Sequence, residues 1–252
     1  VAAAVPEPVR HYVLTRSAYG PGWASDANRR RLAITAGVTV EMMRRQTRRD
    51  WTWLVLFDRR DELLAERMAV FESAGVPVVP ILWMPTAIAA APWDKHGART
   101  NQIQKIAATA YRAPWAQGIG PRDEQVLMTR LDDDDGLATD ALERMAHAAR
   151  RLTRRAALML PMGYRVWAGR SSLVRHDRNA MHTLSTPAGD ELVVYDYGHM
   201  RVHASMPVVR VDERPGWLWV RHQDTISGWK RATRPITLRL RQEFPIDWSL
   251  LA

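Results

Sequence analysis

The residues with the most chemistry in them are four consecutive carboxylates, Asp132, Asp133, Asp134 and Asp135. They close the apolar stretch Gln125-Val126-Leu127-Met128-Thr129-Arg130-Leu131. Adjacent carboxylates repel one another, and each makes the next harder to ionise. A protein keeps such a run in open solvent or around a cation. Here it ends what reads as a buried strand, and open α/β sheets bind ligands beyond the carboxyl ends of their strands. On an extended backbone alternate side chains share a face, so Asp132 and Asp134 point one way and Asp133 and Asp135 the other. An Asp-x-Asp pair can hold a hard divalent cation and leave positions for phosphate oxygens and water. Such a cation stabilises a diphosphate as a leaving group.

Other metal motifs fit poorly. An EF-hand loop aligned on Gly136 would begin at Leu131 and end at Leu142, both without a ligand oxygen on the side chain. A DDxxD motif fails at Gly136. The simpler reading is an acidic loop that complements the dipole of the following helix.

A second group can move protons. Asp196, His199 and His203 lie within eight residues of one another, and a carboxylate or imidazole in reach of an acceptor hydroxyl can take its proton. His199 can instead bind a diphosphate. His176 and His182 read as loop residues satisfied by backbone groups. Of the 11 Trp, Trp51, Trp53, Trp217 and Trp219 alternate on strands and read as core. Trp23, Trp83, Trp93, Trp115 and Trp229 fall in expected loops, where an aromatic ring can stack on a base or a sugar.

The elements that must position these groups alternate in the first half. Strands are expected at His11 to Thr15, Trp51 to Phe57, Val76 to Leu82 and Gln125 to Leu131. Helices are expected at Ala27 to Arg45, Asp61 to Ala74 and Asn101 to Tyr111, and from an Asp140 cap with Glu143 as its capping-box partner to about Arg155. Strand and helix in turn, with buried strands, mean α/β with a parallel sheet. After Pro161 short strand-like pieces dominate, at Tyr164 to Ala168, Leu192 to Tyr195, Trp217 to Val220 and Ile236 to Leu240. The expected organisation is one unit, with a nucleotide-binding half over about residues 9–135 and a mixed half over about 136–252.

With 46% hydrophobic residues the chain can bury a full core, and no apolar run reaches the roughly 18 residues of a membrane span. The start lacks the pattern of a signal peptide. Cysteine is absent, which excludes disulfides and thiol chemistry and fits a cytoplasmic protein. Of 36 basic residues only Lys95, Lys105 and Lys230 are lysine, and the net charge is +9. That excess favours an anionic partner such as DNA or a nucleotide. Arginine clusters occur at Arg29 to Arg31, at Arg44-Arg45 with Arg48-Arg49, and at Arg150-Arg151 with Arg154-Arg155.

Three segments carry a family resemblance. Met43-Arg44-Arg45-Gln46-Thr47 with Trp53-Leu54-Val55-Leu56-Phe57-Asp58 is similar to the "S-L-x-x-Q-T … E-I-I-V-V-D" opening of nucleotide-sugar glycosyltransferases of the GT-A fold. Thr129 to Asp135 resembles the T-R-L-D-N-D-D motif of a rhamnosyltransferase family in that group. Pro215 to His222 resembles its later "P-M-W-L-Q-V-x-H". Two positions depart from the pattern: Asp133 replaces a frequent Asn, and Gln223-Asp224-Thr225 follows His222 in place of a Gly/Asn-rich turn.

The resemblance implies a GT-A (Rossmann-like) open mixed sheet flanked by helices, with an acceptor-binding second half. It implies Mn²⁺ or Mg²⁺ on Asp132, Asp134 and His222, and a nucleoside-diphosphate sugar as donor. Thr15, Arg16 and Asp58 would surround the nucleotide, and Arg130 and Asp132 the phosphates or sugar. Asp133 is expected to face away. Asp135 is expected to support the ligands or touch the sugar, and joins Asp196 and His199 as a candidate catalytic group. The expected activity is metal-dependent sugar transfer, inverting, to the hydroxyl of a glycan, a protein or a modified DNA base. The rivals are a nucleic-acid-binding module with a transferase-like fold, and a nucleotidyltransferase.

Overall fold

A computed structural model describes residues 9–17, 25–83, 107–112, 125–187, 190, 193–196, 201–222 and 232–251. In chain order the strands are β1 (Val9–Ser17), β2 (Trp51–Asp58), β3 (Val78–Trp83), β4 (Gln125–Asp132), β5 (Gly136–Leu137), β6 (Ala156–Met159), β7 (Met162–Trp167), β8 (Arg170–Arg175), β9 (Thr183–Thr186), β10 (Val208–Arg210), β11 (Trp217–Arg221) and β12 (Arg234–Pro235). The main helices are α1 (Ser25–Ile34), α2 (Leu64–Glu72), α3 (Ala141–Ala149) and α4 (Leu238–Glu243).

Two sheets result: one of seven strands in the order β10-β6-β9-β4-β1-β2-β3, one of five in the order β12-β8-β7-β11-β5. β3, β2, β1 and β4 run parallel, and β9 is antiparallel to β4. The architecture is therefore the expected α/β class, an open mixed sheet flanked by helices. Alternation along each strand feeds two cores. Val13, Trp53, Phe57, Leu127 and Leu131 pack with α3 and with the second sheet's Trp217 and Val220. Tyr12, Leu14, Leu56 and Met128 pack on the opposite face with Tyr111 and Tyr195.

The parallel strands end together, with Arg16 beside Asp132 and Ser17 beside Phe57. Beyond Asp132 the chain leaves the first sheet and enters the second as β5, which pairs antiparallel with β11, Leu218 beside Gly136. The aspartate run is thus the bridge between the sheets. At Gly136 a Cβ would lie 3.3 Å from Met42 Cγ, a tight contact that the methionine would have to relieve. Gly163 has a stricter duty, because the Trp217 ring occupies the place of its Cβ.

Several expectations need correction. The helix expected to Arg45 contains a π-helical segment, Thr35–Val40, whose Thr39 hydroxyl donates to the Asp135 carbonyl at 2.8 Å. The helix after Asp140 stops at Ala149, and its capping box does not form: Asp140 pairs with Arg144 and Arg214, while Glu143 accepts from Thr47. Val194–Asp196 is a 3₁₀ turn rather than strand. Ile236 to Leu240 is not a strand, since α4 begins at Leu238 with the Thr237 hydroxyl capping Leu240 N–H. β6, β9 and β10 were unexpected. Each is a piece of three or four residues that owes its extension to a neighbour rather than to its own pattern.

Candidate functional site

Asp132 ends β4 on the face that carries Tyr195. Its carboxylate accepts from Arg16 Nη2 at 3.3 Å and from Arg130 Nη2 at 3.4 Å. The two guanidiniums flank the Tyr195 ring, at 5.4 and 5.2 Å from its centre, and that ring stacks on Tyr111 at 5.3 Å. The phenol hydroxyls donate to the carbonyls of Leu14 and Thr15, which fixes both rings to β1. The Arg130 Nε and Nη1 atoms are buried with no partner among the described residues. Burial opposes ionisation of Asp132, but Arg130, Arg16 and Arg31 overcome it and hold its pKa well below the usual carboxylate range.

The next three carboxylates do not alternate as an extended chain would. Asp135 N–H donates to the Asp132 carbonyl at 3.2 Å, closing a turn. Asp133 is fully buried and accepts from the Ser17 hydroxyl and from Arg31 Nε, each at 3.0 Å. It is an anchor for Arg31 and not a bystander. Asp134 Oδ2 lies 3.1 Å from Arg31 Nη1 and 3.1 Å from His222 Nε2. Burial raises the cost of its charge, and Arg31 and His222 more than offset that. The Asp135 carboxyl turns inward and accepts from Val220 N–H at 3.0 Å. Burial first, then Asp134 and Asp132, push its pKa well up. Arg221 stacks over Trp219 at 3.7 Å and faces the same acids.

Residues outside the run hold it in place. The Gln46 side chain donates to the Ala138 carbonyl at 2.9 Å and accepts from Leu142 N–H at 3.2 Å. Thr47 N–H donates to the Thr139 carbonyl at 2.8 Å. The Gln-Thr pair therefore clamps the segment leaving the aspartates. Arg144, buried on α3, donates to Asp212 and to the carbonyls of Arg214 and Pro215, which fixes the loop entering β11 and hence His222. Ser17, Arg31, Gln46 and Arg144 were missed as site-forming residues. Only the Gln-Thr pair carried a signal in the sequence.

The structure brings Arg16, Arg130, Asp132, Asp134, Asp135 and His222 together. It does not bring the Thr15 hydroxyl to them: that group is fully buried on the other face and accepts from Trp53 Nε1 at 2.9 Å. Asp58 ends β2 at the same sheet edge, with its carboxylate held by Arg60 Nε and Nη2 at 3.0 and 2.9 Å. Asp196 follows Tyr195, accepts from Val193 N–H at 2.8 Å and pairs with Arg112. Burial raises its pKa. His203 is exposed on a short helix, His182 is buried, and His176 leans on the Trp219 ring. Trp83 ends β3. His199, Trp23, Trp93, Trp115 and Trp229 lie outside the described residues.

Among the described residues no group of three or more His, Asp or Glu is arranged to hold a metal ion. Asp134 and His222 stand together, while Asp132 is turned to Arg16 and Arg130. One carboxylate oxygen and one imidazole nitrogen leave positions that phosphate oxygens and water can fill around a divalent cation. The residues fit a cation site completed by substrate, not a closed protein cage.

Residues 96–234 match the model of the family described as "Putative rhamnosyl transferase", which spans more than half of the chain. The chain belongs to that family. The matched span of this rhamnosyltransferase family takes in the aspartate run, Asp196 and His222, and leaves out Arg16, Arg31 and Asp58. No curated protein matches the chain. Among solved structures, mouse xyloside xylosyltransferase 1 in its apo form is similar at 10% identity and a TM-score of 0.40, over 81% of this chain and 86% of that one. Among the described residues no helix is long and apolar enough to cross a membrane.

Proposed function

We propose that this chain moves a rhamnosyl or other hexosyl group from a nucleoside-diphosphate sugar to an acceptor hydroxyl, with Mn²⁺ or Mg²⁺ shared by Asp134, His222 and the donor diphosphate. The observation that carries this reading is the 3.1 Å approach of Asp134, in the turn between β4 and β5, and His222, just past β11, at the carboxyl edge of the parallel strands. When bound, the cation supplies positive charge to the departing diphosphate. Arg130, with its unpartnered nitrogens, binds the phosphates or the sugar. Arg16 and Asp58 border the nucleotide. Asp135 positions β11, and through it His222.

Asp196 is the general base. Its raised pKa makes it a stronger proton acceptor than a solvated carboxylate. In a single inverting displacement the acceptor oxygen bonds to the anomeric carbon as the bond to the diphosphate breaks, and the hydroxyl proton passes to Asp196. The acceptor is a glycan, a protein or a hydroxylated DNA base. Much of the arginine charge is used internally: Arg44 and Arg45 pair with Glu41, Arg48 with Asp50, and Arg155 with Asp190.

The test is a panel of nucleotide sugars with Mn²⁺, scored for release of nucleoside diphosphate. Release of pyrophosphate in its place would replace sugar transfer by nucleotidyl transfer. The acid limb of kcat/KM should lie above the ordinary carboxylate range and vanish in Asp196→Asn. An acid limb unchanged in that variant would remove Asp196 as the base.

A further inference from the structure

The oxygen that faces His222 already holds a cation. Asp134 Oδ2 meets Arg31 Nη1 at the same 3.1 Å at which it meets His222 Nε2. Arg31 cannot drift away, because its Nε donates to Asp133, which is itself held by Ser17, and its side chain is 6% exposed. Four guanidiniums, those of Arg16, Arg31, Arg130 and Arg221, already face the aspartate run. A divalent ion entering this buried place brings two charges that the protein alone does not offset, and desolvated unbalanced charge is costly. A diphosphate brings the missing negative charge.

We propose that Arg31 is a resident counter-ion of Asp134, which keeps divalent-cation affinity low until a diphosphate arrives and so couples the two binding events. The inference rests on the donor-site reading above. The coupling is reciprocal: the cation strengthens diphosphate binding by the factor by which diphosphate strengthens cation binding. Arg31 releases Asp134 Oδ2 and stays tethered through Asp133.

The experiment is Mn²⁺ binding by equilibrium dialysis, with and without inorganic pyrophosphate at matched free Mn²⁺, in the full chain. Wild type should bind Mn²⁺ roughly tenfold or more tightly when pyrophosphate is present, within the usual range of coupling. Arg31→Gln should bind Mn²⁺ alone about tenfold more tightly than wild type and lose most of the coupling. Arg31→Lys should keep the wild-type pattern, and thermal melting checks that each variant is folded. Arg31→Gln binding Mn²⁺ no better than wild type overturns the role of Arg31. So does wild type binding Mn²⁺ equally well with and without pyrophosphate, a measurement that needs no variant, and both outcomes leave the donor reading standing. Absence of Mn²⁺ binding in every protein and condition overturns the donor reading and the inference together.

Discussion

The two sheets supply the site by different means. The seven-stranded sheet delivers Arg16, Arg130 and Asp132 from parallel strand ends, where register alone sets Arg16 beside Asp132. The five-stranded sheet delivers His222 from the end of β11, which pairs along its length with β7 and meets the aspartate run through the two-residue strand β5. Strand ends of a parallel sheet converge whatever their side chains are. A short antiparallel pair converges only if its flanks are held. The first contribution should therefore survive most single substitutions outside the site, and the second should depend on clamps such as Arg144 and Gln46.

The largest effect should come where the two contributions meet. Asp134→Ala removes the carboxylate that faces both Arg31 and His222. Donor-dependent release of nucleoside diphosphate should fall by roughly 10³-fold, about 4 kcal/mol of transition-state stabilisation. The thermal unfolding temperature should fall too, because Arg31 and His222 lose a buried partner, and a melting curve above the assay temperature checks that the variant is folded. Wild-type turnover in this variant would separate the meeting point from the chemistry.

Next is the clamp on the second sheet. Arg144→Ala leaves Asp212 and two carbonyls of the 212–215 loop without their guanidinium. Breaking a largely buried ion pair from one side costs on the order of 3 kcal/mol. Denaturant unfolding should register that loss, and turnover should drop with it as His222 loses its fixed approach. A change under about 1 kcal/mol would mean that β5 and β11 hold register without help, and the contrast between the sheets would weaken. A smaller effect belongs to Gln46→Ala, about 2 kcal/mol, since it leaves Leu142 N–H and the Ala138 carbonyl buried without this partner.

That contrast also explains what the sequence revealed. β1 to β4 follow local patterns of apolar residues, so the α/β class and the sheet edge that bears Asp132 could be read directly. The turn at Asp133 could not, because alternation describes a strand and the strand stops at Asp132. With it went the role of Asp133, whose partners Ser17 and Arg31 are more than a hundred residues away in the chain. β6, β9 and β10 were hidden for the same reason: their extension comes from pairing. The expected strand Leu192 to Tyr195 rests on residues that favour extension, whereas Val194 and Tyr195 are buried in a 3₁₀ turn that ends at Asp196. The motif carrying Gln46 was visible, but its job as a clamp on the 138–142 segment depends on contacts that no local pattern encodes.

The smallest expected effect tests whether the first sheet has a weakness of its own, away from the site. His11 lies on β1, fully buried, with Nε2 2.7 Å from the Thr129 hydroxyl. Burial, reinforced by Arg48, lowers its pKa from 6.5 to about 3. The folded chain therefore keeps this imidazole neutral in a range where the unfolded chain protonates it. Its contribution to stability is complete above pH 6.5 and is lost as pH falls from 6.5 towards 3. Between pH 7 and about 5.5 that loss amounts to roughly 1 kcal/mol. His11→Gln removes the titration, so the difference in unfolding free energy between wild type and variant should shrink by about that amount over the same interval. A difference that stays constant with pH would mean that His11 binds its proton as readily in the folded sheet as in the unfolded chain, and that the parallel core tolerates a buried charge without a carboxylate beside it.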